Sequence, residues 1–221
     1  MESCRLTRSE YERLYARFLE RSPEDLVLHA GKVKGKRVLD LCAGNMRATK
    51  CAIDNGASSV MSVDVSAEMM GARKGGSSGN KEVYISDISH WVPWSLPLGA
   101  GRFDLAVCQQ GVNFWWSKDA VASVAKMIAP RGHFVFNTFL SLPDSVPMVR
   151  KYTLDGLEYM ETSWSVGHKV MHVQICGDLS HLSSFEWLPV SKIADMLKPH
   201  FVNIDFHYDG STVIVDARKG K

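Results

Sequence analysis

The chain has 221 residues, of which 45% are hydrophobic and 23% are charged, a balance typical of a globular protein that buries a core. Its formal net charge of +2 argues against a nucleic-acid-binding surface, because binding to phosphate backbones needs a concentrated basic surface. No apolar run approaches the roughly 18 residues of a membrane span, and the first residues are too charged and polar for a secretory signal, so we expect a cytoplasmic protein.

The five cysteines form no C-x-x-C pair, and their number is odd. Without a secretory signal, this pattern predicts free thiols in a reducing compartment rather than a disulfide framework. The same spacing gives no indication of a zinc site, and we expect no metal.

The first predicted element is a helix over residues 9–28. Four side chains with i, i+3, i+4, i+7 spacing would share one of its faces: Tyr11, Leu14, Tyr15 and Phe18. Residues 22–25 (Ser-Pro-Glu-Asp) can cap a second helix near the end of this segment, with proline at its first position. We therefore expect a helical N-terminal segment before the first strand.

Five short apolar runs follow, separated by helical patterns or by segments rich in Gly, Ser and Pro. These predicted strands cover residues 38–41, 61–65, 83–87, 103–109 and 133–139. Helical patterns cover 48–55 and 118–128, and Ser66 can serve as the N-cap of a further helix. Such an alternation predicts a parallel sheet that is covered by helices on both faces.

The pattern changes after residue 152. Apolar and polar residues alternate over 157–166 and again over 169–176, with Gly167 between the two runs. Alternation with a period of two is typical of half-buried strands, so this segment is predicted to form an inserted β-hairpin.

The end of the chain returns to the earlier pattern, with a predicted helix over 188–197. The last two apolar runs, 201–208 and 212–217, flank Asp209-Gly210, which is a strong hairpin turn signal. We therefore expect the sheet to end in two antiparallel strands.

The turn after the first predicted strand is the most informative part of the sequence. The strand is followed at once by the small residues Cys42-Ala43-Gly44, and the second strand ends in the carboxylate of Asp64. A dinucleotide-binding turn needs glycines in G-x-G-x-x-G spacing so that the backbone can approach a pyrophosphate, and only Gly44 stands in this loop. The pattern favours a cofactor with a ribose but no pyrophosphate, its hydroxyls near Asp64.

Val38-Leu39-Asp40-Leu41-Cys42-Ala43-Gly44 resembles motif I of the class I S-adenosylmethionine-dependent methyltransferases, of the type that acts on small molecules. Phe103-Asp104-Leu105-Ala106-Val107-Cys108 is similar to the fourth-strand motif of this family. Ile128-Ala129-Pro130-Arg131-Gly132-His133 is similar to its turn before strand five. Asp64 and Asp87 stand where the family has acids after its second and third strands.

The resemblance implies an α/β fold with a seven-stranded, mostly parallel Rossmann-like sheet. The last strand would be reversed, helices would cover both faces, and a small β-hairpin lobe would be inserted after strand five. The implied organisation is a single domain over residues 1–221, with a helical lid (1–36), a cofactor-binding core (37–140), a substrate roof (141–185), and a last helix and hairpin (186–221).

The resemblance also implies S-adenosylmethionine as the cofactor and S-adenosylhomocysteine as its product. Asp64 would hold the ribose hydroxyls, Asp87 would lie by the adenine edge, and Gly44 would let the backbone pass close to the methionine part. The implied cofactor-binding residues are Tyr15, Asp40, Cys42, Ala43, Gly44, Asp64, Val65, Met69, Asp87, Ile88, Gln109 and Gln110. The family usually carries glycines at the positions of Cys42 and Met46. Local alternatives are a turn aspartate for Asp40 and a helix N-cap for Asp64.

Substrate contacts are predicted at Tyr11, Asn113, Trp115, Asn137, Tyr152, Trp164 and Gln174. Candidate general bases are His168 and His172, because a histidine over the crevice can take a proton from a hydroxyl or an amine. His181 and Glu161 are further candidates in the same segment. The alternatives are structural: a lone strand histidine usually packs, Trp115 can anchor a loop, and Tyr11 and Tyr15 can simply pack their helix.

Together these expectations describe a methyltransferase that moves the methyl group of S-adenosylmethionine to an oxygen or nitrogen of a small molecule by in-line transfer. Alternatives are an RNA or protein methyltransferase, a non-catalytic cofactor-binding subunit, and a nicotinamide-dependent enzyme, which the missing glycines disfavour. We expect a small-molecule partner, no nucleic acid and no membrane, and the sequence leaves a homodimer open.

Overall fold

The computed structural model describes residues 6–16, 26–71, 77–78, 81–85, 102–210 and 212–221. Its described strands form two sheets. In chain order they are β1 (Arg37–Leu41), β2 (Ser59–Asp64), β3 (Ser77–Ser78), β4 (Lys81–Ile85), β5 (Phe103–Cys108), β6 (Ile128–Phe139), β7 (Met148–Leu154), β8 (Leu157–Val166), β9 (Lys169–Cys176), β10 (Leu179–Glu186), β11 (Asn203–Asp209) and β12 (Thr212–Arg218). Strands β7 to β10 form the smaller sheet, and all others belong to the larger one.

The larger sheet has the spatial order β11-β12-β6-β5-β1-β2-β4-β3. Strand β1 pairs in parallel with β2 and β5, and the parallel pairing continues from β5 to β6 and from β2 to β4. Strand β12 runs antiparallel between β6 and β11, so the predicted reversed strand and terminal hairpin are confirmed. The predicted number of seven strands is wrong, because the two-residue strand β3 pairs with β4 and makes an eighth. So short a pairing leaves no alternation to detect in the sequence.

Helices cover both faces of the larger sheet. The described ones are α1 (Arg8–Leu14), α2 (Leu26–His29), α3 (Arg47–Asp54), α4 (Ala67–Met70), α5 (Lys118–Met127) and α6 (Val190–Leu197), with a 3-10 helix at Val112–Phe114. Leu39 and Leu41 of β1 pack in a core with α5 and α6, whereas Val38 packs in a second core with α2 and α3. Because both faces are covered, the central strands are continuous apolar runs rather than alternating ones.

The smaller sheet is antiparallel with the order β10-β9-β8-β7, and we call it the roof sheet. The prediction of a simple hairpin over 157–176 is therefore corrected to four strands over 148–186. The missed strands are β7 and β10, and β7 is mostly exposed, so its apolar alternation is weak. The available signal was Asp155-Gly156, whose φ angles of 49° and 77° suit the two-residue turn that joins β7 to β8.

The N-terminal helix is shorter than the predicted span of 9–28. Thr7 and Glu10 form a capping box at the start of α1, which ends at Leu14. Residues 17–25, including the predicted cap at 22–25, lie outside the described residues. In the described part of the chain, no helix combines the length and apolar character that crossing a bilayer requires.

Candidate active site

The loop after β1 takes left-handed backbone conformations at alternate residues. Cys42, Gly44 and Met46 have φ angles of 54°, 48° and 66°. Glycine adopts such angles without steric cost, which explains why glycines are usual at these three positions in the family that the sequence resembles. The N–H of Gly44 donates to Oδ2 of Asp64 at 2.9 Å, so the loop is tied to the end of β2.

Asp64 holds the turn between β2 and α4 while its carboxylate faces the cavity described below. Its Oδ1 accepts a hydrogen bond from the N–H of Ser66 at 2.8 Å. Burial raises the pKa of Asp64, and the backbone N–H groups of Ser66 and Gly44 oppose that rise. The cap of α4 is the Ser66 hydroxyl, which accepts from the N–H of Met69 at 3.2 Å, so the sequence-based N-cap prediction is confirmed.

Asp40 is buried beneath the loop. Its Oδ2 accepts a hydrogen bond from the hydroxyl of Thr49 at 2.5 Å, and that hydroxyl lies 2.6 Å from the hydroxyl of Ser62. These contacts tie α3 to β1 and β2. Asp40 also lines a narrow cleft together with Ala43 and Gly44. Asp40 therefore helps to fix α3 on the sheet beside the loop, and its contact with a cofactor stays a prediction.

Met46 does not obstruct the site. Its side chain is buried in a small cluster with Ala43 and Met70. It is not among the lining residues of either the narrow cleft or the larger cavity, whereas Arg47 lines the cleft. Met46 therefore adopts the left-handed backbone conformation of the loop while its side chain packs inside the protein, away from the site.

The residues that follow β5 line the cavity next to the loop. Gln109 and Gln110 both line the cavity, and the N–H of Gln110 donates to Oδ1 of Asn137 at 2.6 Å. A hydrogen bond with Cys108, together with burial, raises the pKa of the Cys42 thiol well above its ordinary value. Cys42 is therefore a protonated packing residue here, not a nucleophile.

The roof sheet covers a cavity of about 960 Å³ over the carboxyl ends of the parallel strands. Its inner face carries two cross-strand rows of mostly polar side chains. One row contains Arg150, Glu161, Gln174 and His181, and the next contains Met148, Ser163, His172 and Ser183. All of them line the cavity, whose opposite wall includes Gly44, Asp64, Val65, Met69 and Gln109.

His172 lies in the second row, over the cavity. Its Nδ1 is 2.8 Å from the hydroxyl of Ser163. Burial lowers the pKa of His172, with Glu161 and Gln174 acting in the opposite direction, so the imidazole is neutral near pH 7. A neutral, hydrogen-bonded imidazole facing a cavity can accept a proton.

Helix α1 closes one side of the cavity. The Tyr15 hydroxyl lies 2.7 Å from Nδ1 of His181, and the Tyr11 ring packs on the Tyr15 ring with centroids 4.8 Å apart. Arg13 bonds Asp178 at 3.0 Å on the roof side. Both tyrosines line the cavity, so the helix is joined to the roof sheet by the same residues that the sequence predicts as a lid.

Three predicted substrate residues have structural partners. Asn113 donates through Nδ2 to the carbonyl of Glu186 at 2.7 Å and accepts from Thr138 at 3.0 Å, although it also lines the cavity. Asn137 orients Gln110 as described above. Trp115 is 3% exposed and packs in the core, and its indole N–H has no hydrogen-bond partner among the described residues. Trp115 also lines the cavity, so its contact with substrate stays a prediction beside its packing role.

Of the remaining predicted residues, two line the cavity and two lie away from it. Tyr152 and Gln174 line the cavity and are joined by a 2.9 Å hydrogen bond. Trp164 lies between two inward-facing serines of β8, so its side chain is on the other face of the roof sheet, outside the cavity. His168 lies in the turn after β8, where its ring stacks against Trp187 with centroids 6.4 Å apart, also away from the cavity.

Asp87 and Ile88 lie outside the described residues, so their predicted cofactor contacts are not described. Among the described residues, no three His, Cys, Asp or Glu side chains are grouped as a metal site would need. The sequence-based search missed Ser163 and Arg150, which share a face with Glu161 and His172. The period-two alternation of β8 could have identified Ser163, because it is two residues from Glu161.

Comparisons with known proteins agree with this geometry. Residues 39–136 match the methyltransferase domain family. No curated protein matches the sequence. The fold is similar to that of CalS10, an amino pentose methyltransferase from Micromonospora echinaspora solved with S-adenosylmethionine, at 15% identity and a TM-score of 0.71 over 99% of this chain and 100% of that one.

Two further solved structures have the same fold. One is an S-adenosylmethionine-dependent methyltransferase from Clostridium acetobutylicum, with 16% identity and a TM-score of 0.67 over 96% of this chain and 92% of that one. The other is the 1,6-didemethyltoxoflavin-N1-methyltransferase of Burkholderia thailandensis, with 16% identity and a TM-score of 0.54 over 100% and 94%. The chain therefore has the class I methyltransferase fold, and its residues 39–136 match the methyltransferase domain family.

Proposed function

We propose that the protein transfers the methyl group of S-adenosylmethionine to an oxygen or nitrogen of a small-molecule acceptor. The observation that carries this proposal is the cavity of about 960 Å³ between the roof sheet and the loop after β1. That volume is at the upper end of the ~300–1,000 Å³ of small-molecule sites, which is enough for a nucleoside cofactor and an acceptor together. A roof of this kind suits a small acceptor better than a polymer.

The residues around Gly44 and Asp64 fit the cofactor. The Asp64 carboxylate lines the cavity at the end of β2, and its partners Gly44 and Ser66 fix its position without pairing it to a cation. A carboxylate held in this way can accept hydrogen bonds from two ribose hydroxyls. Gly44 would present only backbone to the ligand, and its φ of 48° is an angle that residues with a Cβ rarely adopt. When bound, S-adenosylmethionine supplies an electrophilic methyl carbon on its sulfonium.

The protein supplies orientation, exclusion of water and a proton acceptor. Tyr15 and His181 close the side of the cavity next to α1, which would reduce the access of water to the acceptor from that side. His172 is the proposed general base. Its neutral imidazole, held by the Ser163 hydroxyl, would take the proton that a hydroxyl or an amine loses as it is methylated.

The solved relatives agree with a small acceptor. One is described as acting on an amino pentose, and another as methylating N1 of 1,6-didemethyltoxoflavin. The described residues that line the large cavity include three carboxylates (Asp64, Asp144 and Glu161) and a single arginine, Arg150. This charge balance does not favour an RNA acceptor, since phosphate binding needs clustered cations.

The proposal is tested by thermal unfolding and calorimetric titration with S-adenosylmethionine, S-adenosylhomocysteine and NAD. The first two are expected to stabilise the fold, by about 2.7 kcal/mol at a hundredfold excess over Kd. Asp64→Ala is expected to abolish binding, while Asp209→Ala, an exposed aspartate in the terminal hairpin, should bind like the wild type. Stabilisation by NAD alone, or by none of the three, would refute the proposed function.

A further inference from the structure

The end of the cavity beyond the His172 row is apolar. Phe139 and Phe185 stack with ring centroids 5.1 Å apart at 16°, and Phe114 meets Phe185 edge to face at 5.6 Å and 65°. We call these three rings the aromatic wall. All three line the cavity, as does Met148 in the neighbouring row.

The aromatic wall exposes apolar surface to the cavity rather than burying it. Phe114 is 39% exposed, and Met148 is 54% exposed. Contiguous exposed apolar surface in a concave site is characteristic of ligand binding, because a ligand that covers it removes it from water. Rings arranged both face-on and edge-on offer an incoming aromatic ring a stacked or a T-shaped contact.

The register of the roof sheet fixes the distance from this wall to the proposed base. Phe185 is opposite Val170, and the next pair along the same face is Ser183 opposite His172. Neighbouring rows on one face of a sheet are about 7 Å apart, because two residues of a strand rise roughly 3.3 Å each. A ring on the wall therefore carries its hydroxyl or amino substituent toward His172, about one ring width away.

The charges of the described lining residues argue against an anionic acceptor. Arg150 is the single arginine or lysine among them, and its guanidinium lies 3.6 Å from the carboxylate of Glu161. Burial lowers the pKa of both His172 and His181, so neither adds a positive charge near pH 7. A phosphate or carboxylate on the acceptor would therefore enter a cavity with more negative than positive groups, which would weaken binding.

We infer that the acceptor is an aromatic molecule without phosphate or carboxylate groups, whose ring packs on Phe114, Phe139 and Phe185 and whose hydroxyl or amino group is methylated beside His172. This inference rests on the proposed function and narrows it to a chemical class. Neither the methyltransferase fold nor the domain match specifies such a class.

The test measures how tightly matched probe molecules bind to the protein when it is saturated with S-adenosylhomocysteine. The aromatic probes are naphthol and benzylamine, their saturated counterparts are decahydronaphthol and cyclohexylmethylamine, and their anionic counterparts are hydroxynaphthoate and para-aminomethylbenzoate. Binding is measured by saturation-transfer NMR and calorimetry, which need no turnover. An aromatic contact worth ~0.5–1.5 kcal/mol predicts that each aromatic probe binds up to about tenfold more tightly than its saturated counterpart.

Phe114→Ala is expected to remove this preference while leaving the affinity for S-adenosylhomocysteine unchanged, since Phe114 lies on the acceptor side. Tyr208→Ala is the matched control, because Tyr208 is an exposed aromatic residue of β11 outside the cavity. Equal binding of aromatic and saturated probes, tighter binding of the anionic probes, or binding of none of them by the cofactor-loaded protein would overturn the inference. Failure to bind S-adenosylhomocysteine at all would instead refute the proposed function, and the inference with it.

Discussion

Gly111 is the position at which one methyl group should disturb the candidate active site most selectively. A Cβ added there would lie 2.3 Å from Cβ of Cys42 and 2.7 Å from its Sγ, far inside van der Waals contact. The backbone of Gly111 has φ −113° and ψ −13°, which alanine adopts readily. Gly111→Ala therefore tests the contact with the loop after β1 without adding backbone strain.

The expected magnitude follows from two opposing effects. Forcing a methyl group into a packed contact costs about 1–3 kcal/mol, and replacing glycine by alanine returns about 0.4–1 kcal/mol through the unfolded state. A net loss of about 1–2 kcal/mol corresponds to a fall in Tm of roughly 2–8 °C for a domain of this size. Because Cys42 is on the loop that presents Gly44, we also expect the affinity for S-adenosylhomocysteine to fall about tenfold, or ~1.4 kcal/mol.

A second substitution, at Cys42, tests whether the clash with this residue causes the effect of Gly111→Ala. Cys42→Gly removes both clashing atoms and suits the φ of 54°, so Gly111→Ala should be rescued in that background. Cys42→Ala keeps the clashing Cβ and should not rescue. Gly210→Ala is the control, because it has a φ of 55° and no atom within 4 Å, so it should lower Tm without changing affinity. Thermal unfolding and calorimetric titration measure both quantities, and equal rescue by Cys42→Ala and Cys42→Gly would show that the assigned contact is wrong.

Further predictions concern the proposed base, an ion pair of the sheet and the helix over the cavity. Because burial lowers the pKa of His172, kcat/KM should be constant above about pH 6.5 and fall only in more acidic solution. His172→Asn should lower kcat about 10²–10⁴-fold. A kcat/KM that already falls with decreasing pH above about pH 6.5 would contradict this role. Hydrogen bonds from Arg37 hold the pKa of Asp104 below its ordinary value, so the pair stabilises the fold above about pH 3.9 and loses this contribution as the pH falls through the folded pKa. Urea unfolding should therefore give Asp104→Asn a deficit of at most about 1 kcal/mol at neutral pH that shrinks in acid, since the pair is partly exposed. Tyr15→Phe removes the hydroxyl bonded to His181 and should speed amide exchange in α1, with a stability loss of about 1 kcal/mol; unchanged exchange would mean that this bond does not hold the helix.

The sequence determined the elements whose signals are local. Parallel strands covered on both faces must be continuous apolar runs, so β1, β2 and β5 were recognisable without any knowledge of their partners. Ser66 was predictable as an N-cap because capping depends on neighbouring N–H groups, and Asp209-Gly210 was predictable as a turn because its geometry depends on two residues. The position of Asp64 at a strand end followed from the same local pattern.

Tertiary structure decided which side chains share the cavity. His168 and His172 were equivalent candidates in the sequence, and only the register of β9 puts one over the cavity and the other in a turn. Trp164 was predicted to contact substrate, yet one residue of strand parity turns it to the opposite face. The bond between Tyr15 and His181 joins residues 166 positions apart, and the extra strands β7 and β10 are defined by their pairing with β8 and β9. Local patterns specify what a segment forms, but contacts between distant segments depend on pairing and packing, which a single stretch of sequence does not encode.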